Sequence, residues 1–184
     1  MLCLGKFTFE IQVKLLFILL AIISFTFIST QYLKPMYIYT IKNNEEAMSK
    51  SISRMVNNEI EIILVKDIDN RRIVLFKMGS QIGEARLTKG SNNQFKLDST
   101  GHGTNEVRYR IWSTDKKQYV VFLGRNNENI SEILTFVDGE KYKLIVPEHE
   151  KYFITYSPLQ RKTESSFPSG SVWYDKEGNE IIRI

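Results

Sequence analysis

The residues able to do chemistry are few and poorly grouped. One histidine, His102, stands in Thr-Gly-His-Gly-Thr, where two glycines leave it room to reach a ligand, but Glu106 is the only carboxylate near it in sequence and a plain turn role is the simpler reading. The other, His149, opens a Glu-His-Glu stretch. A zinc-protease helix needs a second histidine four residues on, and that position is Phe153 within a strand-like pattern. Asp67 and Asp69 begin like a calcium loop, yet Arg71 occupies the next ligand position and Arg72 replaces the required glycine. Ser165, Ser166, Ser169 and Ser171 lack the Gly-x-Ser-x-Gly elbow, and no glycine-rich phosphate loop occurs. A single cysteine, Cys3, excludes an internal disulfide and a cysteine zinc cluster. No catalytic residue, metal ligand or cofactor is therefore assigned. The fifteen Glu and six Asp keep one catalytic alternative in view, a hydrolase built on a chance pair of carboxylates.

Binding chemistry is better represented. The chain carries 25 Lys+Arg against 21 Asp+Glu, a formal net charge of +4, and its cations fall in local groups: Arg71-Arg72, Arg108/Arg110, Lys116-Lys117 and Arg161-Lys162. Arg108, Arg110 and Trp112 alternate with Val107, Tyr109 and Ile111, so a strand there buries the second set and presents the first set to solvent. Two guanidinium groups beside an indole can grip an anionic polymer by charge and stacking. These three are the candidate binding residues.

The elements that must position them begin with an anchor. Residues 15–33 run without a charge for nineteen residues, which at about 1.5 Å each cover roughly the 30 Å of a bilayer core. The hydroxyls of Ser24, Thr26, Ser29 and Thr30 can bond back to their own helix, Lys34 and Pro35 close the run, and Tyr32, Tyr37 and Tyr39 cluster where an interfacial aromatic belt lies. Lys6 and Lys14 against Glu10 place residues 1–14 in the cytoplasm and the remainder outside. The apolar core is too long for an ordinary cleavable leader, which favours an uncleaved signal-anchor. Gly5 and Glu10 have the spacing of a pilin-type leader, although Lys6 and Lys14 sit where such a helix should be apolar. A minor pilin-like component is thus a further alternative.

Residues 34–58 read as a linker with one amphipathic helix, capped by Asn43 or Asn44 and carrying Met48, Ile52, Met55 and Val56 at helical spacing. Residues 59–184 form a mainly β domain. Short strands at Ile60–Val65, Ile73–Phe76, Gln81–Thr88 and Gln94–Leu97 predict an antiparallel meander, and Tyr119–Leu123, apolar on both faces, predicts a central strand. Asp138-Gly139 predicts a two-residue hairpin pairing Val137 with Glu140, Thr135 with Tyr142 and Ile133 with Leu144. Strands at Tyr152–Tyr156, Ser171–Tyr174 and Glu180–Ile184 bring the number to about ten, which implies an antiparallel two-sheet sandwich or a partly open barrel. Residues 157–169, with Pro158 and Pro168, form the longest irregular loop and the foremost candidate for a mobile one.

From about Glu59 onward, Ile-Val-Leu-Phe-Lys at 73–77, the Ile133–Tyr142 hairpin, Ile145-Val146-Pro147, Tyr152-Phe153-Ile154-Thr155-Tyr156 and the closing Tyr174-Asp175-Lys176-Glu177-Gly178-Asn179-Glu180-Ile181 give an order of segments that resembles small single-span membrane proteins of low-GC Gram-positive bacteria with an extracytoplasmic β domain and no assigned activity. The resemblance lends no catalytic residue. Together these readings imply a single-pass protein of the cell membrane acting as a non-catalytic binding or interaction module at the envelope. Its expected partners are the lipid bilayer and either an envelope protein or an anionic envelope polymer, with nucleic acid disfavoured.

Overall fold

A computed structural model describes the backbone from Cys3 to Pro147 and from Glu150 to Arg183, with side chains from Lys14 onward. Glu148 and His149, and with them the Glu-His-Glu motif, lie outside the described residues, as do the side chains of Cys3, Lys6 and Glu10.

Uninterrupted apolar sequence makes the first element. Helix α1 (Cys3–Ile28) passes through a π-helical turn (Ser29–Leu33) into α2 (Lys34–Ile38). The stretch from Lys14 to Ile38 is long and apolar enough to cross a membrane, and none of it is buried against the protein. Thr26 Oγ1 donates to the Ile23 carbonyl at 2.9 Å, and Thr30 Oγ1 to the Thr26 and Phe27 carbonyls, both at 3.0 Å. The hydroxyls thereby satisfy themselves locally. Pro35 does not end the helix as its type suggests. The π turn, in which the Lys34 N–H donates to the Ser29 carbonyl, shifts the ladder by one residue just ahead of Pro35, so proline stands in the first turn of α2, where its missing N–H is tolerated.

The junction with the β domain is tied down. Tyr39 closes α2 through its N–H to the Pro35 carbonyl at 2.9 Å, and Ile41 and Phe95 exchange both backbone bonds, at 2.9 and 2.8 Å. Helix α3 (Glu45–Val56) begins at Asn44, whose side chain accepts the Ala47 N–H at 2.9 Å, and ends at Asn57 in the left-handed region, with φ 53°. Met48 and Ile52 are buried, whereas Met55, expected on the same stripe, is 51% exposed because it stands at the edge of the contact.

Among the described residues eleven strands follow, in three antiparallel sheets, none closed into a barrel. Sheet A is the expected meander, β1 (Glu61–Ile68), β2 (Arg71–Met78), β3 (Gln81–Lys89) and β4 (Phe95–Gly103), in that order. Sheet B is β5 (Val107–Ser113), β6 (Gln118–Arg125) and β9 (Tyr152–Pro158). Sheet C orders β11 (Glu180–Arg183), β10 (Gly170–Tyr174), β7 (Glu132–Val137) and β8 (Glu140–Ile145). The β7–β8 register is the one the Asp-Gly turn dictates, with Asp138 at φ 49° and Gly139 at φ 81°. 

The sheets are layered, and sheet B lies between the other two. Its Val121, Leu123 and Trp112 pack with Ile73, Leu75 and Ile82 of sheet A, while its Val120, Phe122 and Ile111 pack with Ile133, Leu144 and Trp173 of sheet C. Helix α3 covers the far side of sheet A over Val74, Phe76, Leu87 and Phe95. Strand β6 is central, as its two apolar faces require. A sheet covered on both sides is what turns the expected pair of sheets into three.

The segment from Leu159 to Ser169 is held at several points. Ile111 N–H donates to the Ser166 carbonyl at 2.9 Å, Gln118 exchanges side-chain bonds with the Thr163 backbone at 2.7 and 3.0 Å, and Ser169 N–H donates to the Phe136 carbonyl at 2.8 Å. These bonds lay the loop along the edge strand β5, covering groups that would otherwise invite pairing with another chain.

Candidate functional site

Alternation places Arg108, Arg110 and Trp112 on one face of β5, and layering turns that face toward sheet A. The expected solvated face is therefore largely an interior one. Trp112 is only 2% exposed and packs among the apolar residues between sheets A and B. The Arg108 side chain is 15% exposed, and only Arg110, at 42%, reaches substantially into solvent.

What brings the arginines inward is Glu84 on β3, itself buried. Arg108 Nε donates to Glu84 Oε2 at 2.8 Å, and Arg110 Nε lies 3.1 Å from Glu84 Oε1, so one carboxylate holds two guanidinium groups. Glycines on β4 leave the room. A Cβ on Gly101 would stand 2.9 Å from Arg108 Nη2, and one on Gly103 would stand 3.4 Å from Nη1.

A second ionic group adjoins the first on sheet A. Arg71 Nη1 donates to Asp98 Oδ2 at 2.7 Å, Lys96 Nζ lies 3.0 Å from Asp98 Oδ1, and the Thr88 hydroxyl bridges Arg71 and Asp98. Between the two carboxylates sits Arg86, which donates to Ser99 Oγ at 3.0 Å and stacks 5.5 Å from the Trp112 ring centroid. Burial, and then the like charges of Arg110 and Arg71, lower the pKa of Arg86, while Asp98 and Glu84 act in the opposite direction. Its guanidinium nevertheless keeps its charge. Among the described residues, five cations (Arg71, Arg86, Arg108, Arg110 and Lys96) thus share two carboxylates.

Two of these cations, Arg108 and Arg110, line a cleft of about 270 Å³ together with Asn105, Tyr109, Phe167 and Pro168. The Arg110 guanidinium lies 5.4 Å from the Phe167 ring centroid, and Phe167 is itself exposed. Two guanidinium groups with Nε committed to Glu84 still present Nη donors, which match carboxylate and phosphate oxygens. The cleft can hold an anion; among the described residues its lining offers no carboxylate or histidine for proton transfer.

Comparison with known proteins found no matching family model, no matching curated protein and no matching solved structure.

The remaining chemistry-bearing residues are dispersed. His102 lies on β4, not in a turn, with Nδ1 2.9 Å from Gln81 Oε1. Asp67 pairs with Arg72 at 2.6 Å, and Asp69 accepts from Thr114 Oγ1 at 2.7 Å and Tyr119 Oη at 2.9 Å. Among the described residues no three of His, Cys, Asp or Glu are grouped to hold a metal ion. A larger cleft of about 670 Å³ at the β10–β11 end includes Glu128, Ser131, Glu150, Asp175 and Glu177. Its Ser131 hydroxyl donates to the Asp175 carbonyl at 2.7 Å, and the Asp175 side chain binds Asn179, so neither is poised for attack on a substrate.

The sequence singled out Arg108, Arg110 and Trp112, of which Trp112 is buried outside the cleft, and did not single out Glu84, Arg86, Asp98 or Phe167. The signal available was the alternation of Ile82, Glu84, Arg86 and Thr88, which puts charge on a strand face that also carries an apolar residue. Inward-facing charge of that kind needs a partner.

Proposed function

We propose that the chain is a single-pass membrane-anchored module, with residues 1–14 cytoplasmic and the β domain outside, that binds an anionic envelope polymer without chemistry of its own. The exposed apolar helix supports the anchor, and Lys6 and Lys14 ahead of it support the orientation. One observation carries the binding assignment: among the described residues five cations gather about two carboxylates at a half-buried seam, and two of them, Arg108 and Arg110, line an aromatic-edged cleft. Unbalanced charge in a partly desolvated place is costly unless an anion completes it. Tethering confines the domain to the membrane surface and so raises its effective concentration toward polymers anchored there.

The test is binding of a poly(glycerol phosphate) to the full chain in detergent, with Arg110→Gln and Phe167→Ala as variants. Both sites are exposed enough to change without emptying the core. Affinity should fall for each variant and decline with added salt. Equal affinity in the wild type and both variants would refute the binding site. Protease shaving of intact cells carrying a C-terminal tag tests the orientation separately, since a tag cut only after lysis would place the β domain inside.

A further inference from the structure

We propose that a second cleft, between the end of the apolar helix and α3, seats the headgroup of one anionic phospholipid taken from the bilayer; this inference rests on the membrane reading above. The cleft, about 320 Å³, is lined by Ile38, Ile41, Ser51, Arg54, Met55 and Lys96. Ile38 is the last residue of α2. It stands five residues beyond the uncharged run, roughly 7.5 Å along a helix, which is about the depth of one headgroup layer. The site therefore opens where lipid phosphates lie.

Its height is held by bonds. Asn92 Nδ2 donates to the Tyr39 carbonyl at 3.0 Å, and the Tyr39 ring lies so close to Gly90 that a Cβ there would collide with it. With the paired Ile41 and Phe95, these contacts lock the helix end to the β3–β4 turn, so the cleft cannot swing away from the membrane surface.

The chemistry is that of an amphiphile's receptor. Met55 and Ile38 are exposed apolar lips, at 51% and 37%. Arg54 has no acidic partner among the described residues, whereas Lys96, which also lines the cleft, has its ammonium held to Asp98 at 3.0 Å. Phosphate oxygens suit Arg54 and the upper acyl carbons suit Met55 and Ile38, a pairing that a free inorganic anion would leave half unused.

The experiment incorporates the full chain into nanodiscs of equal phosphatidylglycerol and phosphatidylcholine, then releases it for native mass spectrometry. One retained phosphatidylglycerol is expected, and Arg54→Gln should lower its retention roughly fivefold. Arg54→Lys should keep most of it, while Met55→Glu, at an exposed position, should abolish it by repulsion. Equal retention of both lipids, or retention untouched by these variants, would overturn the headgroup seat while leaving the anchor intact. Displacement of the lipid by millimolar inorganic phosphate would likewise overturn it in favour of a simple anion site. Failure of the chain to enter nanodiscs at all would overturn the membrane reading, and this inference with it.

Discussion

Sheet B meets its two neighbours by different physics. Toward sheet C the contact is apolar: Phe122 stacks on Tyr109 with centroids 5.3 Å apart and meets Trp173 edge-on at 6.3 Å, among Ile133, Leu144 and Phe153. Toward sheet A the contact is apolar around Trp112 and ionic around Glu84. Both faces belong to the same sheet, so the difference lies in what the opposing sheet offers. The B–C contact has little to do but exclude water. The A–B contact retains buried charge that apolar residues of similar volume could replace without loss of stability, which points to a use for that charge beyond holding the sheets together.

Truncating the B–C contact should have the largest effect. Phe122→Ala removes a fully buried ring that touches two other aromatics, and a loss of about 3–5 kcal/mol is expected in urea unfolding of the full chain in detergent. A loss under about 1 kcal/mol would mean that sheets B and C are not one packed unit.

Glu84→Gln probes the other contact and sharpens the contrast. Removing the carboxylate leaves Arg108 and Arg110 without their partner, and because Arg110 is partly solvated the expected cost is about 2–3 kcal/mol, below the full value for a buried pair. Unlike Phe122→Ala, this variant should bind poly(glycerol phosphate) more tightly than wild type and regain stability as the polymer is added. Lost stability with unchanged or weaker binding would make Glu84 a plain structural ion-pair partner. Asn44→Ala, which touches neither contact, should cost only about 1 kcal/mol by uncapping α3 and should leave polymer binding as it was.

How far sequence reached follows the same division. The β7–β8 register, the Asn44 cap and the apolar helix are written in local signals: a turn type, a cap and a run without charge. The orientation of β5 is not. Alternation separates Arg108 and Arg110 from Tyr109 and Ile111, yet it cannot say that the charged face meets a carboxylate 24 residues away in another sheet. Polarity suggested water, and tertiary pairing overrode it. Continuation of the helix past Pro35 escaped notice for a related reason, because the π turn that accommodates the proline lies in residues with no distinctive type.

The smallest expected effect concerns acid. Asp69, in the β1–β2 turn, accepts from Thr114 and Tyr119 of the β5–β6 hairpin and lies 3.6 Å from Lys116, so it is a second polar link between sheets A and B. The Thr114 hydrogen bond is the chief cause holding its carboxyl below the ordinary 3.8, opposed by burial and aided by Tyr119 and Lys116. A depressed folded-state value means that the stabilisation is fully present above the unfolded-state pKa and disappears as pH falls through the folded one. The link should therefore be constant from pH 5 to 8, by about one unit or more above that ordinary value, and weaken only below about pH 4. Denaturant midpoints of wild type and Asp69→Asn, compared at pH 6 and pH 3, isolate it. Wild type should lose more on acidification than the variant, whose amide has no proton to gain. Equal losses would remove Asp69 from the A–B contact, leaving Glu84 and its two arginines as that contact's only tested polar link.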